Sequence, residues 1–325
     1  MTRQERERER VGHGWPGRLH VITGKGGTGK TTVAAALALA LARGGQRTLL
    51  VEVEGRQGIA QLFDLDPLPY EERRIATPTG GGEVRALAVD AEQALLEYLE
   101  MFYRLGVAGR ALRKVGAVDF ATTIAPGLRD VLLTGKVKES VTRTANGRRV
   151  YDAVILDAPP TGRIGRFLNV TAETARLAKV GPIKSQSEGV MAILRSPMTS
   201  VHVVTLLEEM PVQETLDAIV ELERLGIGVG RIVVNATREP VLTDARVTQA
   251  ELRRGLVAAG LPTDKDTLAG LVTEGKAHQT RVAVEATLRE ELLGVGRPVV
   301  ELPVLPGGVT REGLEDFASR LLTAD

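Results

Sequence analysis

The chain has 325 residues, enough for one large domain or two ordinary ones and for a sizeable core without covalent staples. Lys and Arg total 42 against 41 Asp and Glu, and aromatics make up 3%, so there is neither a basic field for nucleic acid or anionic lipid nor a stacking platform for single strands. Cysteine is absent, which excludes disulfides, zinc–thiolate sites, iron–sulfur clusters and a cysteine nucleophile.

The N-terminus, MTRQERERER, is a mixed-charge run with no apolar core of a signal peptide behind it. Residues 1–17 are therefore expected to form a disordered charged tail. No apolar run reaches ~18 residues, so no spanning helix and no direct membrane insertion are expected, and the protein is placed in the cytoplasm. Order is expected from Arg18. Leu19–Thr23 is a short apolar run, a glycine cluster follows, and Val33–Ala42 is a run of strong helix formers. This reads as strand, loop and helix. Further apolar runs at Thr48–Val53, Val84–Val89, Tyr151–Leu156, Val201–Leu206, Arg231–Asn235 and Val299–Leu302 predict six more strands. Most are continuous rather than alternating, which suits a parallel sheet covered on both faces. Helical patterns such as Gln213–Leu225 separate them, so a doubly wound α/β sheet is expected.

Two intervals are too long for a simple crossover. Ala91–Thr144 reads helical, with Leu95, Leu99 and Phe102 on one face, and Thr171–Met198 is a second such stretch. They predict helical insertions at about 91–145 and 171–198, forming a helical subdomain within a single domain spanning 18–325. Tyr98, Phe102, Tyr103 and Phe120 fall in the first insertion, where they read as its small core in preference to a groove for an apolar client. Thr243–Leu293 is a third helical interval, and Gly80-Gly81-Gly82 is a turn.

Gly24-Lys25-Gly26-Gly27-Thr28-Gly29-Lys30-Thr31 matches G-x-x-x-x-G-K-[ST] between a predicted strand and a predicted helix, the context that motif requires. Glycines let backbone N–H groups converge on phosphate oxygens, and the helix N-terminus behind them favours negative charge. Gly26, Gly27, Thr28, Gly29 and Thr32 are expected to cradle phosphate. Lys30 is expected to reach the β- and γ-phosphates of ATP, and the Thr31 hydroxyl to ligate Mg²⁺. Lys25, directly after the first glycine, marks the deviant Walker A version of the loop.

A second motif narrows the class. Asp157-Ala158-Pro159-Pro160-Thr161-Gly162-Arg163, followed by Arg166 and Leu168, resembles the D-T-A-P-T-G-x-x-x-R-x-L switch of the ArsA family, which includes the arsenite-pump ATPase and the guided-entry ATPase. Val233-Val234-Asn235 and Leu302-Pro303-Val304-Leu305-Pro306 resemble that family's adenine-side segments. With the phrase VEVEGRQGIAQLF, the chain is most similar to the actinobacterial ArsA-like ATPases that occur as paired, non-identical subunits. The resemblance implies a doubly wound, mostly parallel sheet of the deviant Walker A P-loop ATPase type. By position it implies that Asp157 holds a Mg²⁺-bound water and that Thr161 and Gly162 sense the γ-phosphate. Asn235 and Pro303 would contact adenine, and Lys25 would reach across an interface to a partner's nucleotide.

The chain also departs from the family pattern. Where the family has D-P-A after the second strand, this chain has Val53-Glu54-Gly55-Arg56-Gln57. Glu54 occupies the place of the Asp that positions the attacking water, with its carboxylate one methylene further out. A misplacement of ~1 Å costs on the order of 100-fold in rate, so altered hydrolysis is expected if Glu54 is not simply a surface acid. The arsenite-binding cysteines and the zinc-clamping C-x-x-C of family members are missing.

The expected function is an ATP-hydrolysing switch with catalytic Lys25, Lys30, Glu54 and Asp157. ATP would lie at an interface with a second ArsA-like subunit, a heterodimer before a homodimer, and hydrolysis would move the helical subdomain toward an unidentified client or membrane partner. One alternative is a weakly or non-catalytic ATP-binding subunit that supports a catalytic partner. Another is a partition or cell-division type ATPase. The tail from Gly313 opposes it, since Glu315, Asp316 and Asp325 face Arg320 alone.

Overall fold

A computed structural model describes residues 14–103, 126–170, 181–242 and 248–323. Eight strands form one sheet: β1 (Leu19–Gly24), β2 (Arg47–Glu52), β3 (Arg73–Ala76), β4 (Glu83–Ala88), β7 (Ala153–Asp157), β8 (Thr199–Thr205), β9 (Val229–Thr237) and β10 (Val299–Pro303). Their order is β10-β9-β8-β1-β7-β2-β4-β3, parallel throughout except for β3, which runs antiparallel on β4. A two-stranded hairpin, β5 (Thr144–Ala145) and β6 (Arg148–Arg149), stands apart. All seven predicted strands are present. The eighth, β3, is a short edge strand whose two arginines are exposed, so it carries no apolar run to betray it. Gly80, Gly81 and Gly82 turn the chain from β3 into β4 at φ 88°, 90° and 96°.

Side-chain alternation explains how the sheet is covered. Leu19 and Val21 of β1, Leu49 and Val51 of β2, Val154 and Leu156 of β7 and Ile232 and Val234 of β9 join one core. Ile22, Leu50, Ile155 and Val233, offset by one residue, join the other. The second face is covered by α1 (Lys30–Ala42), α2 (Gly58–Leu62) and, against α1, α10 (Arg311–Thr323). Every residue of α1 from Val33 to Ala42 is buried, so the helix is apolar all round, as a helix sandwiched between a sheet and another helix must be.

The first face carries α3 (Ala91–Tyr103), α4 (Pro126–Thr142), α5 (Thr161–Leu168), α6 (Pro182–Leu194) and α7 (Glu209–Arg224). Leu95, Leu133, Val137, Met191 and Leu194 belong to the same core as the strands, so the described parts of both helical insertions form a layer on the sheet. Tyr98 is buried in that layer. The side chains of Phe102 and Tyr103, all of Phe120, and residues 171–180 lie outside the described residues. The third helical interval contains α8 (Gln249–Ala258) and α9 (Lys265–Gly294). Among the described residues, no helix is long and apolar enough to cross a membrane.

Trp15, expected in the charged tail of residues 1–17, is instead packed. It is 1% exposed and its indole N–H donates to Leu321 O at 2.6 Å, pinning the start of the fold to its last helix. Beside it, two buried histidines face each other. His202 Nδ1 accepts from the Arg231 backbone N–H at 2.9 Å, so His202 carries its proton on Nε2 and donates to His20 Nδ1 at 3.2 Å. Burial drives the pKa of His20 down to about 4 and that of His202 well below the ordinary value. Both are neutral in the fold and must charge on acid unfolding. Stability from His20 is thus fully present above its unfolded pKa near 6.5 and is lost as pH falls through 4. Urea unfolding at pH 7 and pH 5 is expected to show the wild type losing about 2 kcal/mol more than a His20→Gln variant over that interval.

Candidate nucleotide site

The candidate residues collect at the carboxyl edge of the sheet, where the strand order turns around β1 and open α/β sheets bind ligands. Asp157 ends β7 and is paired in register with Ile22 of β1 on one side and Glu52 of β2 on the other. Asn235 lies near the end of β9, and Pro303 ends β10.

The Gly24–Thr31 loop joins β1 to α1, and its glycines are there for geometric reasons. Gly24 has φ 152°, and a Cβ on it would lie 2.1 Å from Val204 O. Gly27 and Gly29 both have φ 88°, and a Cβ on Gly29 would meet Asn235 Nδ2 at 2.3 Å. The spaces over Gly26 and Gly27 are open, as the approach of a phosphate requires. Asn235 donates from Nδ2 to Thr28 O at 2.9 Å, which ties β9 to the loop and uses one of the amide's two donors. The loop closes on itself through Lys25 O, which accepts from Thr28 Oγ1 at 2.9 Å and from Lys30 Nζ at 3.3 Å.

Thr31 Oγ1 donates to Asp157 Oδ2 at 2.7 Å. A hydroxyl and a carboxylate at this separation, beside a phosphate loop, match Mg²⁺, which is held by one or two protein groups while waters and phosphates complete its shell. Asp157 is 8% exposed, and burial pushes its carboxyl up to about 6 against the opposing pull of Thr31 and Lys30. Burial also lowers the Lys30 ammonium from its ordinary value, opposed by Asp157 first and Glu54 second, so both carboxylates act on that cation.

Glu54 is held by two arginines: Oε1 accepts from Arg163 Nη1 at 3.3 Å, and Oε2 lies 3.4 Å from Arg56 Nη2. Arg163 belongs to α5, so Glu54 is tied directly to that helix. Thr161 and Gly162 open that helix, and Thr161 Oγ1 donates to Glu214 Oε2 of α7 at 2.8 Å. Lys25 pairs with the other oxygen of Glu214. Thr32 lies in the first turn of α1.

The structure thus brings Lys25, Lys30, Thr31, Asp157, Thr161, Glu54 and Asn235 around one edge. Two acids absent from the sequence reading join them. Glu214 is one. Glu52 is the other, buried at the end of β2, where its carboxylate accepts from the backbone N–H groups of Gln57 at 2.5 Å and Ile59 at 3.2 Å. It shapes the segment that presents Glu54. A cleft of about 680 Å³ opens beside this edge, lined by Leu206, Leu207, Met210, Pro211, Asn235 and Arg281 among others. It shares Asn235 with the loop.

A family model described as anion-transporting ATPase matches residues 18–198, more than half of the chain and the segment that carries both the loop and the switch. The chain belongs to the ArsA family. ATPase BagA of Mycobacterium tuberculosis is 54% identical over 322 residues, covering 95% of each chain, and a putative ATPase of Mycobacterium bovis matches to the same extent. A putative arsenical pump-driving ATPase of Aquifex aeolicus is 28% identical over 67% of this chain and 63% of its own length. ATPase GET3 of Kluyveromyces lactis is 25% identical over 66% of this chain and 70% of its own. In this ArsA-family ATPase the matched segment contains both the Gly24–Thr31 loop and the Asp157–Arg163 motif, which lie on one sheet edge.

Proposed function

We propose that this ATPase binds MgATP on the Gly24–Thr31 loop and hydrolyses it as one half of a two-subunit switch. The observation that carries this reading is the Thr31–Asp157 pair at 2.7 Å, with Lys30 acted on by both Asp157 and Glu54 beside a loop that leaves no room for a Cβ on Gly24 or Gly29. Thr31 and Asp157 would hold the Mg²⁺ shell, directly and through water. The ion, when bound, neutralises charge that builds on the phosphate oxygens. Lys30 supplies a second positive charge. Glu54 orients the attacking water once Arg163 and Arg56 yield it. Asn235 and Pro303 border the base.

Lys25 gives the reading its second subunit. A cation one residue past the first glycine adds little in bulk solvent, where a pair at 4 Å gains only ~1 kcal/mol, and much more where an interface excludes water. The partner we propose is a related ArsA-like chain, a heterodimer before a homodimer. Movement of α5 on nucleotide turnover would pass to the helical layer of α3, α4 and α6 and to whatever client or membrane partner it serves.

A second reading has its own support. Both Glu54 oxygens are already engaged by arginines, the state expected of an ATP-binding subunit that supplies Lys25 to a catalytic partner. Light scattering with a co-expressed ArsA-like partner is expected to show a heterodimer that tightens with MgATP, and Lys25→Ala is expected to lower turnover more than it lowers ATP affinity. A strictly monomeric chain with full turnover insensitive to Lys25→Ala contradicts the two-subunit arrangement.

A further inference from the structure

We propose that Glu214 is a positioning residue that parks the Lys25 ammonium beside Thr161 of the switch, so that Lys25 must leave Glu214 before it reaches a second subunit's phosphate. The proposal rests on the reading of Lys25 as a cation that acts across an interface.

The two oxygens of Glu214 are shared between the phosphate loop and the switch. Oε1 pairs with Lys25, and Oε2 accepts from Thr161 Oγ1 at 2.8 Å. A threonine hydroxyl has one proton to donate. When Thr161 donates to a phosphate oxygen, it cannot also donate to Glu214. Sensing of phosphate by Thr161 therefore frees one oxygen of Glu214 and leaves Lys25 as the partner of the other. The Lys25 hydrogen bond first, and the Thr161 bond second, hold the Glu214 carboxyl below its ordinary value, so it stays charged at neutral pH as a lysine latch must.

The backbone around Lys25 leaves the side chain as the moving part. Its carbonyl is turned into the loop, accepting from Thr28 Oγ1 at 2.9 Å and Lys30 Nζ at 3.3 Å. Gly24 before it is wedged against Val204 O, where even a Cβ would come within 2.1 Å. The loop does not swing as a body; the lysine changes partner by rotating its own stem.

The helix that carries Glu214 meets the switch a second time. Glu221, two turns further along α7, lies over Gly165, one turn further along α5, so closely that a Cβ there would meet its Oε1 at 2.0 Å. α5 and α7 thus meet at two points, one of them the carboxylate that holds Lys25.

The test is amine acylation of Lys25 in the full chain without nucleotide, read by mass spectrometry, with Lys136 of α4, whose side chain is only 13% exposed, as a reference for an intact fold. Glu214→Gln is expected to raise Lys25 labelling about threefold, the effect of losing one charge-assisted bond that solvent partly screens. Glu214→Asp, which keeps the charge, is expected to restore part of the protection. With the partner subunit present, Glu214→Gln is expected to lower the partner concentration that gives half-maximal turnover, and that shift is expected to vanish in a Lys25→Ala background. Unchanged Lys25 labelling in Glu214→Gln, with Lys136 at its wild-type level, overturns the latch. Increased labelling together with turnover indifferent to Lys25→Ala keeps the latch and overturns the cross-interface role of Lys25 instead.

Discussion

Replacing Lys30 by alanine is expected to lower ATP turnover by about 100- to 1000-fold and to weaken nucleotide binding. The ammonium lies where two carboxylates act on it, Asp157 and then Glu54. Without it, both acids would face the phosphates with one fewer cation between them. The substitution leaves the fold in place, because Lys30 opens α1 and alanine is the strongest helix former. Turnover by phosphate release and affinity by titration with a fluorescent ATP analogue separate the two effects. A variant that binds and hydrolyses ATP like the wild type would move the nucleotide site away from this loop.

Glu54→Gln is expected to lower turnover by about 100-fold with ATP affinity largely kept, since the amide keeps the shape and loses the basicity that orients a water. The effect has a structural side as well. Glu54 links Arg56 in its own loop to Arg163 on the switch helix, and the neutral amide weakens both contacts. Equal turnover in the two forms would place catalysis in the partner and leave this chain the supporting role.

What could be read from the sequence was what lies contiguous in it. The strand, loop and helix of Leu19–Ala42 occupy one segment, and so do Asp157, Thr161 and Gly162, so pattern and spacing sufficed to find them. The seven apolar strands were legible for the same reason. Contacts between distant segments were not. Glu214 reaches Lys25 across 189 positions, and the acids of α7 look like a solvated helix face until α5 is packed on them. The i, i+7 spacing of Glu214 and Glu221 is a signal only once that face is known to meet the switch. Trp15 finds its partner 306 positions away, so a tail that reads as charge and disorder ends in a buried indole. Glu52 lies within an apolar strand, where nothing local says that its carboxylate caps the backbone of Gln57 and Ile59.

The most direct test of the account is a single-turnover measurement on the assembled pair. ATP labelled on its γ-phosphate is bound to this chain, and the partner subunit carries an alanine at its own phosphate-loop lysine, so that only this chain's site can react. The account predicts release of labelled phosphate from this chain, slowed by about 100-fold in Glu54→Gln and little changed in Lys25→Ala, whose cation acts on the partner's nucleotide. Label that stays on intact bound ATP, with phosphate released only when the partner's own loop is restored, would contradict it and make this chain the non-hydrolysing member of the pair.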